Sequence, residues 1–203
     1  MSTKTYDRQT GKFLGRVAEN MPEMSGDVMQ GWINNPKGLQ KFLLGLCTTE
    51  KPKEDILDFT IHVDRTIRPT YPDWSKVVTY PDLEPTGPTD YNLSTGVEQW
   101  LHDGQKDGKY TRGQVIYDHL KETDDLKNHL SLRDLEEIQK KGIKVFRMLF
   151  KGKAVFAWKS VVQDQGGHLG VPFLYEGGDG VLVYWHWLDH DWGGSNPALR
   201  FAS

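Results

Sequence analysis

Five of the chain's ten prolines, Pro69, Pro72, Pro81, Pro85 and Pro88, fall between residues 69 and 88. Five fixed φ angles and five missing backbone donors exclude a helix or a central strand there. Yet Tyr71, Trp74, Val77, Val78, Tyr80 and Leu83 are interspersed among them, too apolar for a free linker. Residues 64–93 therefore read as an ordered loop inside a folded domain, with one short strand near Val77–Tyr80.

Around that loop the patterns are mixed. Upstream, Thr5–Leu14 alternates loosely about a Thr10-Gly11 turn signal, which predicts a short hairpin or extended arm. Ser25 or Asp27 can cap a short helix through Met29 and Trp32. Asn35-Pro36 then opens a better-marked helix, with Leu39, Phe42, Leu43 and Leu46 on one face. Ile56–Val63 alternates as a strand. Thr95-Gly-Val-Glu98 and Thr111-Arg-Gly-Gln114 fit capping boxes and predict two short helices, one carrying Trp100, the other Ile116, His119 and Leu120. Ser131-Leu-Arg-Asp134 opens the longest amphipathic helix, expected to run to about Phe150. Three β-rich runs follow at Lys153–Val162, His168–Tyr175 and Gly180–Leu188, joined by glycine-rich loops. In the last run both alternating faces are apolar, so it is expected to be covered on both sides or to pack heavily against the long helix. The expected class is α+β: short N-terminal and central helices, and one long helix packed on a C-terminal antiparallel meander. The 203 residues suit a single domain, 1–203, with residues 1–50 as a candidate helical lobe.

Composition narrows the function classes. Apolar residues make up 37% and charged residues 26%, so the chain is not disordered throughout. A formal charge of −3 argues against a general polyanion binder. The lone Cys47 excludes an internal disulfide framework and a cysteine-based zinc cluster. No apolar run approaches the roughly 18 residues of a membrane span, and the N-terminus lacks a signal-peptide core. The expected setting is cytoplasmic, without membrane association.

Three features are candidates for chemistry. Trp185-His-Trp-Leu-Asp-His-Asp-Trp192 gathers two imidazoles and two carboxylates. His186, Asp189, His190 and Asp191 are candidates for acid–base or metal-assisted hydrolysis, with His186, His190 and Asp191 as a partial ligand set for a divalent metal. The plainer reading of the same run is an aromatic strand entering a polar turn, and no cofactor is required. Second, Lys140, Lys144, Arg147 and Lys151 fall within about 60° of one helix face at about 100° per residue, a candidate track for a phosphate backbone. Asp134, Glu136 and Glu137 in the first turn, with bases after them, are equally how a solvated helix meets its own dipole. Third, His102 stands beside Asp103, but neighbours on a helix point apart, and a helix ending in Asp-Gly is the simpler reading.

The runs WLHDGQ, GQVIYDHLKE, GKAVFAWKSVV and VLVYWHWLDHDW, with FTIHVDRTIRPTYPDW before them and NPALRFAS after, resemble an uncharacterised family of conserved bacterial proteins. The resemblance implies that the proline-rich stretch and the meander belong to one unit; it carries no activity, cofactor or catalytic residue. The leading expectation is a non-catalytic interaction domain whose partner is another protein, anchored by Trp32, Trp74, Trp100 and Trp192, tryptophans in or near loops and helix ends. A hydrolase at His186–Asp191 and nucleic-acid binding at Lys140–Lys151 are the alternatives.

Overall fold

In a computed structural model of the chain, residues 8–21, 23–47 and 57–202 are described. The chain divides into two compact units, Met1–Ile56 and Leu57–Ser203. Among the described residues no helix is long and apolar enough to cross a membrane.

The first unit contributes α1 (Arg8–Glu19), α2 (Gly26–Asn34) and α3 (Pro36–Cys47). The Ser25 side chain accepts from the Val28 amide, and Asn35 Oδ1 accepts from the Gly38 amide at 2.9 Å, so both predicted caps close their helices. The arm expected at Thr5–Leu14 is helical from Arg8 onward, and Thr5–Asp7 lie outside the described residues. Helical spacing prevails there because Phe13, Leu14 and Val17 share one face and Lys12 and Arg16 the other.

The second unit is a mixed α and β structure. Its strands are β1 (Thr60–His62), β2 (Val77–Val78), β3 (Asp90–Asn92), β4 (Val97–Trp100), β5 (Thr111–Arg112), β6 (Val155–Phe156), β7 (Val162–Gln163), β8 (Leu169–Gly177), β9 (Gly180–Trp187), β10 (Asp191–Trp192) and β11 (Ala198–Phe201). Its helices are α4 (Gly113–Glu122), α5 (Leu132–Lys140) and α6 (Gly142–Phe150). The main sheet runs β2-β7-β8-β6-β11-β4, with β9 on the other edge of β8. Strands β7, β8 and β9 are antiparallel neighbours, but β11 pairs with β6 in parallel, which a simple meander lacks. Strand alternation feeds two cores. Val155, Leu174 and Leu199 join Leu135, Ile138, Val145 and Phe146 on the α5–α6 side. Phe156, Phe173 and Ala198 join Ile116, Leu120 and Trp192 on the α4 side.

Three expectations are corrected. Residues 97–100 form β4 instead of a helix: pairing along β11, with Gln99 opposite Leu199, outweighs the capping signal at Thr95. Thr111 and Arg112 form β5 against Asp191 and Trp192, so α4 starts only at Gly113 with no side-chain cap. The long helix is two helices. Ser131 caps α5, and the Asp134 carboxylate returns to the Ser131 amide at 2.8 Å, as the box predicts. At Gly142 the backbone turns left-handed, with φ +80°, and the chain restarts as α6.

Candidate functional site

The capping residue Asp134 anchors more than its helix. It is fully buried, and Arg65, delivered by the loop after β1, clasps it through two bonds of 2.8 and 2.9 Å. The Tyr91 hydroxyl donates to the same carboxylate at 3.0 Å. Arg65 also donates to the Pro88 carbonyl at 2.7 Å, while its Nε finds no acceptor among the described residues. Beside this pair lies Glu84, which accepts from the Tyr71 hydroxyl at 3.0 Å, the Arg133 amide at 3.2 Å and the Ser160 hydroxyl. Burial, then the neighbouring carboxylates, push the Tyr71 and Tyr91 hydroxyls up.

Lys159, also fully buried, donates to the Thr86 carbonyl at 3.0 Å and lies 5.3 Å from the centre of the Phe201 ring. Burial lowers its amine to about 8. The loop passes so close that a Cβ on Gly87, at φ +118°, would stand 3.2 Å from an Arg65 nitrogen. The Thr70 amide donates to Glu136 at 2.8 Å and Glu84 accepts from the Arg133 amide, so this proline-rich loop lies over the N-terminus of α5. Between loop and helix opens a cavity of about 350 Å³, walled by Arg65, Arg68, Arg133, Tyr71 and Glu84 with Pro69, Pro81 and Pro85.

A second region is apolar. On β9 the antiparallel register directs alternate backbone groups toward β8; Leu188 N–H donates to the Leu169 carbonyl, so residues 182, 184 and 186 also face β8. Residues 181, 183, 185 and 187 turn their N–H and C=O groups outward. Gln139 Nε2 donates to the Val181 carbonyl, and His190 N–H to the Trp187 carbonyl. Among the described residues the backbone groups of Val183 and Trp185 have no partner on that edge. Gly180–Trp187 holds no charged residue and no proline. Of the two alternatives for β9, the packing on the helices holds: Val181 and Val183 join the α5–α6 core, while the opposite face is open, with Tyr184 62% and Leu182 43% exposed and Phe173 and Tyr175 half-buried beside them. On the other face Trp74 packs its ring against Trp187 at 4.9 Å and Trp185 at 5.5 Å.

The histidine run lies where β9 ends. His186 and His190 approach to 5.0 Å between ring centres, and His190 Nε2 is 3.8 Å from Asp189 Oδ1. Asp191 turns to Arg112 at 3.6 Å, whose guanidinium also donates to the Asp189 carbonyl. His186 sits half-buried among Phe156, Phe173 and Trp192; burial, then His190, lowers its pKa. Among the described residues no three His, Cys, Asp or Glu side chains group to hold a metal ion.

His102 is elsewhere and begins a turn rather than ending a helix. Its Nδ1 accepts from the Gly104 amide at 3.0 Å and its own amide donates to Gln105 Oε1 at 3.0 Å. Its ring meets His119 at 5.0 Å, and Trp100 stacks on His119. The basic stripe is divided by the break at Gly142. Lys140, on α5, bonds Glu137 at 2.7 Å; Lys144 and Arg147 lie on α6, with Arg147 bonding Glu176 at 2.8 Å; Lys151 follows the helix. Of the four tryptophans expected as anchors, Trp192 is fully buried in the core. Trp32, beside Phe42, is the most exposed of the four.

Sequence reasoning missed Arg65, Tyr71, Glu84, Lys159 and Ser160. One signal was present for Lys159: with Ser160 it interrupts the apolar run Val155–Val162. No protein-family model matches the chain, and neither does any curated protein or any solved structure.

Proposed function

We propose that this chain is a non-catalytic binding domain whose partner is another protein, received as an extended segment along the free edge of β9. The observation that carries the reading is the outward backbone of Val183 and Trp185, unpartnered among the described residues on a strand without charge or proline. Sheet edges left in that state pair readily, and folded proteins usually blunt them with charged side chains, proline or a bulge. Here the adjoining face instead presents Tyr184 and Leu182, groups that give an added strand apolar side-chain contact. Main-chain bonds would supply affinity, and the aromatic face would select alternate side chains of the incoming strand.

The test is a selection of extended peptides from a displayed library on the folded protein, with Tyr184→Lys as the counter-target. Binders that protect the Val183 and Trp185 amides and lose at least tenfold in affinity on Tyr184→Lys are expected. Binders that leave both amides exchanging freely would overturn the reading.

A further inference from the structure

We propose that the cavity under the proline-rich loop is a binding site for a small organic monocarboxylate, held by Arg68. The cavity, about 350 Å³, is in the size range of small-molecule sites. Its walls combine guanidinium groups with the apolar surfaces of Ile67, Pro69 and Val78. Two of the three arginines are already engaged. Arg65 is clasped by Asp134, and Arg133 pairs with Glu136 and Glu137. Arg68 is exposed and makes no ion pair among the described residues, and its charge is felt at the Tyr71 hydroxyl within the same wall.

A planar guanidinium beside the apolar surfaces of Ile67, Pro69 and Val78 matches a carboxylate with a hydrocarbon body in shape and charge. The engaged arginines and the prolines keep that wall preorganised, which lowers the ordering cost of binding. Glu84 decides between anions. The residue is 8% exposed, carries no ion pair among the described residues, and lines the same cavity. A carboxylate beside the site repels a phosphate dianion about twice as strongly as a monoanion. The ligand is therefore a carboxylate with a small hydrocarbon body.

Titration calorimetry and amide chemical shifts on the full chain test this with isobutyrate and benzoate, their neutral amides, and inorganic phosphate. Saturable millimolar binding of the carboxylates is expected, with shifts centred on residues 66–71 and 84. The amides and phosphate should bind at least tenfold more weakly, and Arg68→Gln should weaken the carboxylates by roughly tenfold or more. Arg68 is on the surface, so the variant should fold as the parent does, which its melting temperature checks. Equal binding by the amides, phosphate binding as tight as the carboxylates, unchanged affinity in Arg68→Gln, or no saturable binding would each overturn the proposal.

Discussion

Two regions of the C-terminal unit treat polar groups in opposite ways. Around Asp134 and Glu84, charges are taken out of water and nearly every donor and acceptor is matched. Along β9, aromatic and aliphatic side chains are left exposed and backbone groups go unmatched among the described residues. Removing ions from water costs several kcal/mol each, so the first arrangement survives only through its geometry. The second has no such constraint within the unit, because nothing described there depends on the outer edge of Val183 and Trp185. The contrast separates residues that hold the fold from residues free to meet something else.

The largest effect should come from breaking the charged centre. Arg65→Met leaves Asp134 buried without its cation and is expected to cost about 3–5 kcal/mol in denaturant unfolding. If it costs no more than a surface substitution, the centre is not what fixes the loop. Next is pH. His129 is fully buried, donates through Nδ1 to the Asp125 carbonyl at 2.9 Å, and leaves Nε2 without a partner among the described residues. Burial lowers its pKa to about 4 from an ordinary 6.5, with Asp125 favouring its charge and Arg200 and Lys159 opposing it. Between those values the unfolded chain holds a proton that the folded chain rejects. His129 therefore contributes full stability above about pH 6.5, lost progressively as pH falls toward 4, by roughly 3 kcal/mol. His129→Gln should flatten that part of the pH–stability curve; an unchanged slope would show that His129 does not set it.

Smaller effects follow. Gly142→Ala places a side chain at φ +80° and should cost about 1–2 kcal/mol, although the space around it is open. A gain in stability would mean that α5 and α6 can merge into the single helix the sequence suggests. At the bottom of the scale, Tyr184→Lys should change unfolding free energy by no more than about 0.5 kcal/mol while weakening strand pairing at least tenfold. A large loss of stability there would instead make the β9 face part of the core.

What the sequence revealed divides along the same line. Local signals were legible: the caps at Ser25 and Asn35, the Ser131–Asp134 box and the strand-rich C-terminus all form. Thr95–Glu98 misled because a capping pattern is a local preference and β11 offers a ladder that outweighs it. Gly142 misled because an interior glycine lowers helix stability by only about 1 kcal/mol, so periodicity carries through it. The charged centre was illegible for a different reason. Arg65 meets Asp134 across 69 residues, and Ser160 meets Glu84 across 76, and no periodicity encodes such a meeting. For β9, the amphipathic pattern showed two apolar faces; it could not show that one lacks cover.

The most direct test is residue-resolved amide hydrogen exchange along Val181–Trp187, in the dilute protein and with a selected extended peptide bound. The account predicts alternation in the free protein: Leu182, Tyr184 and His186, which face β8, exchange slowly, while Val183 and Trp185 exchange fast. Adding the peptide should protect Val183 and Trp185 and leave the others unchanged. Protection of all five amides in the dilute protein, or continued fast exchange at Val183 and Trp185 in the complex, would contradict it.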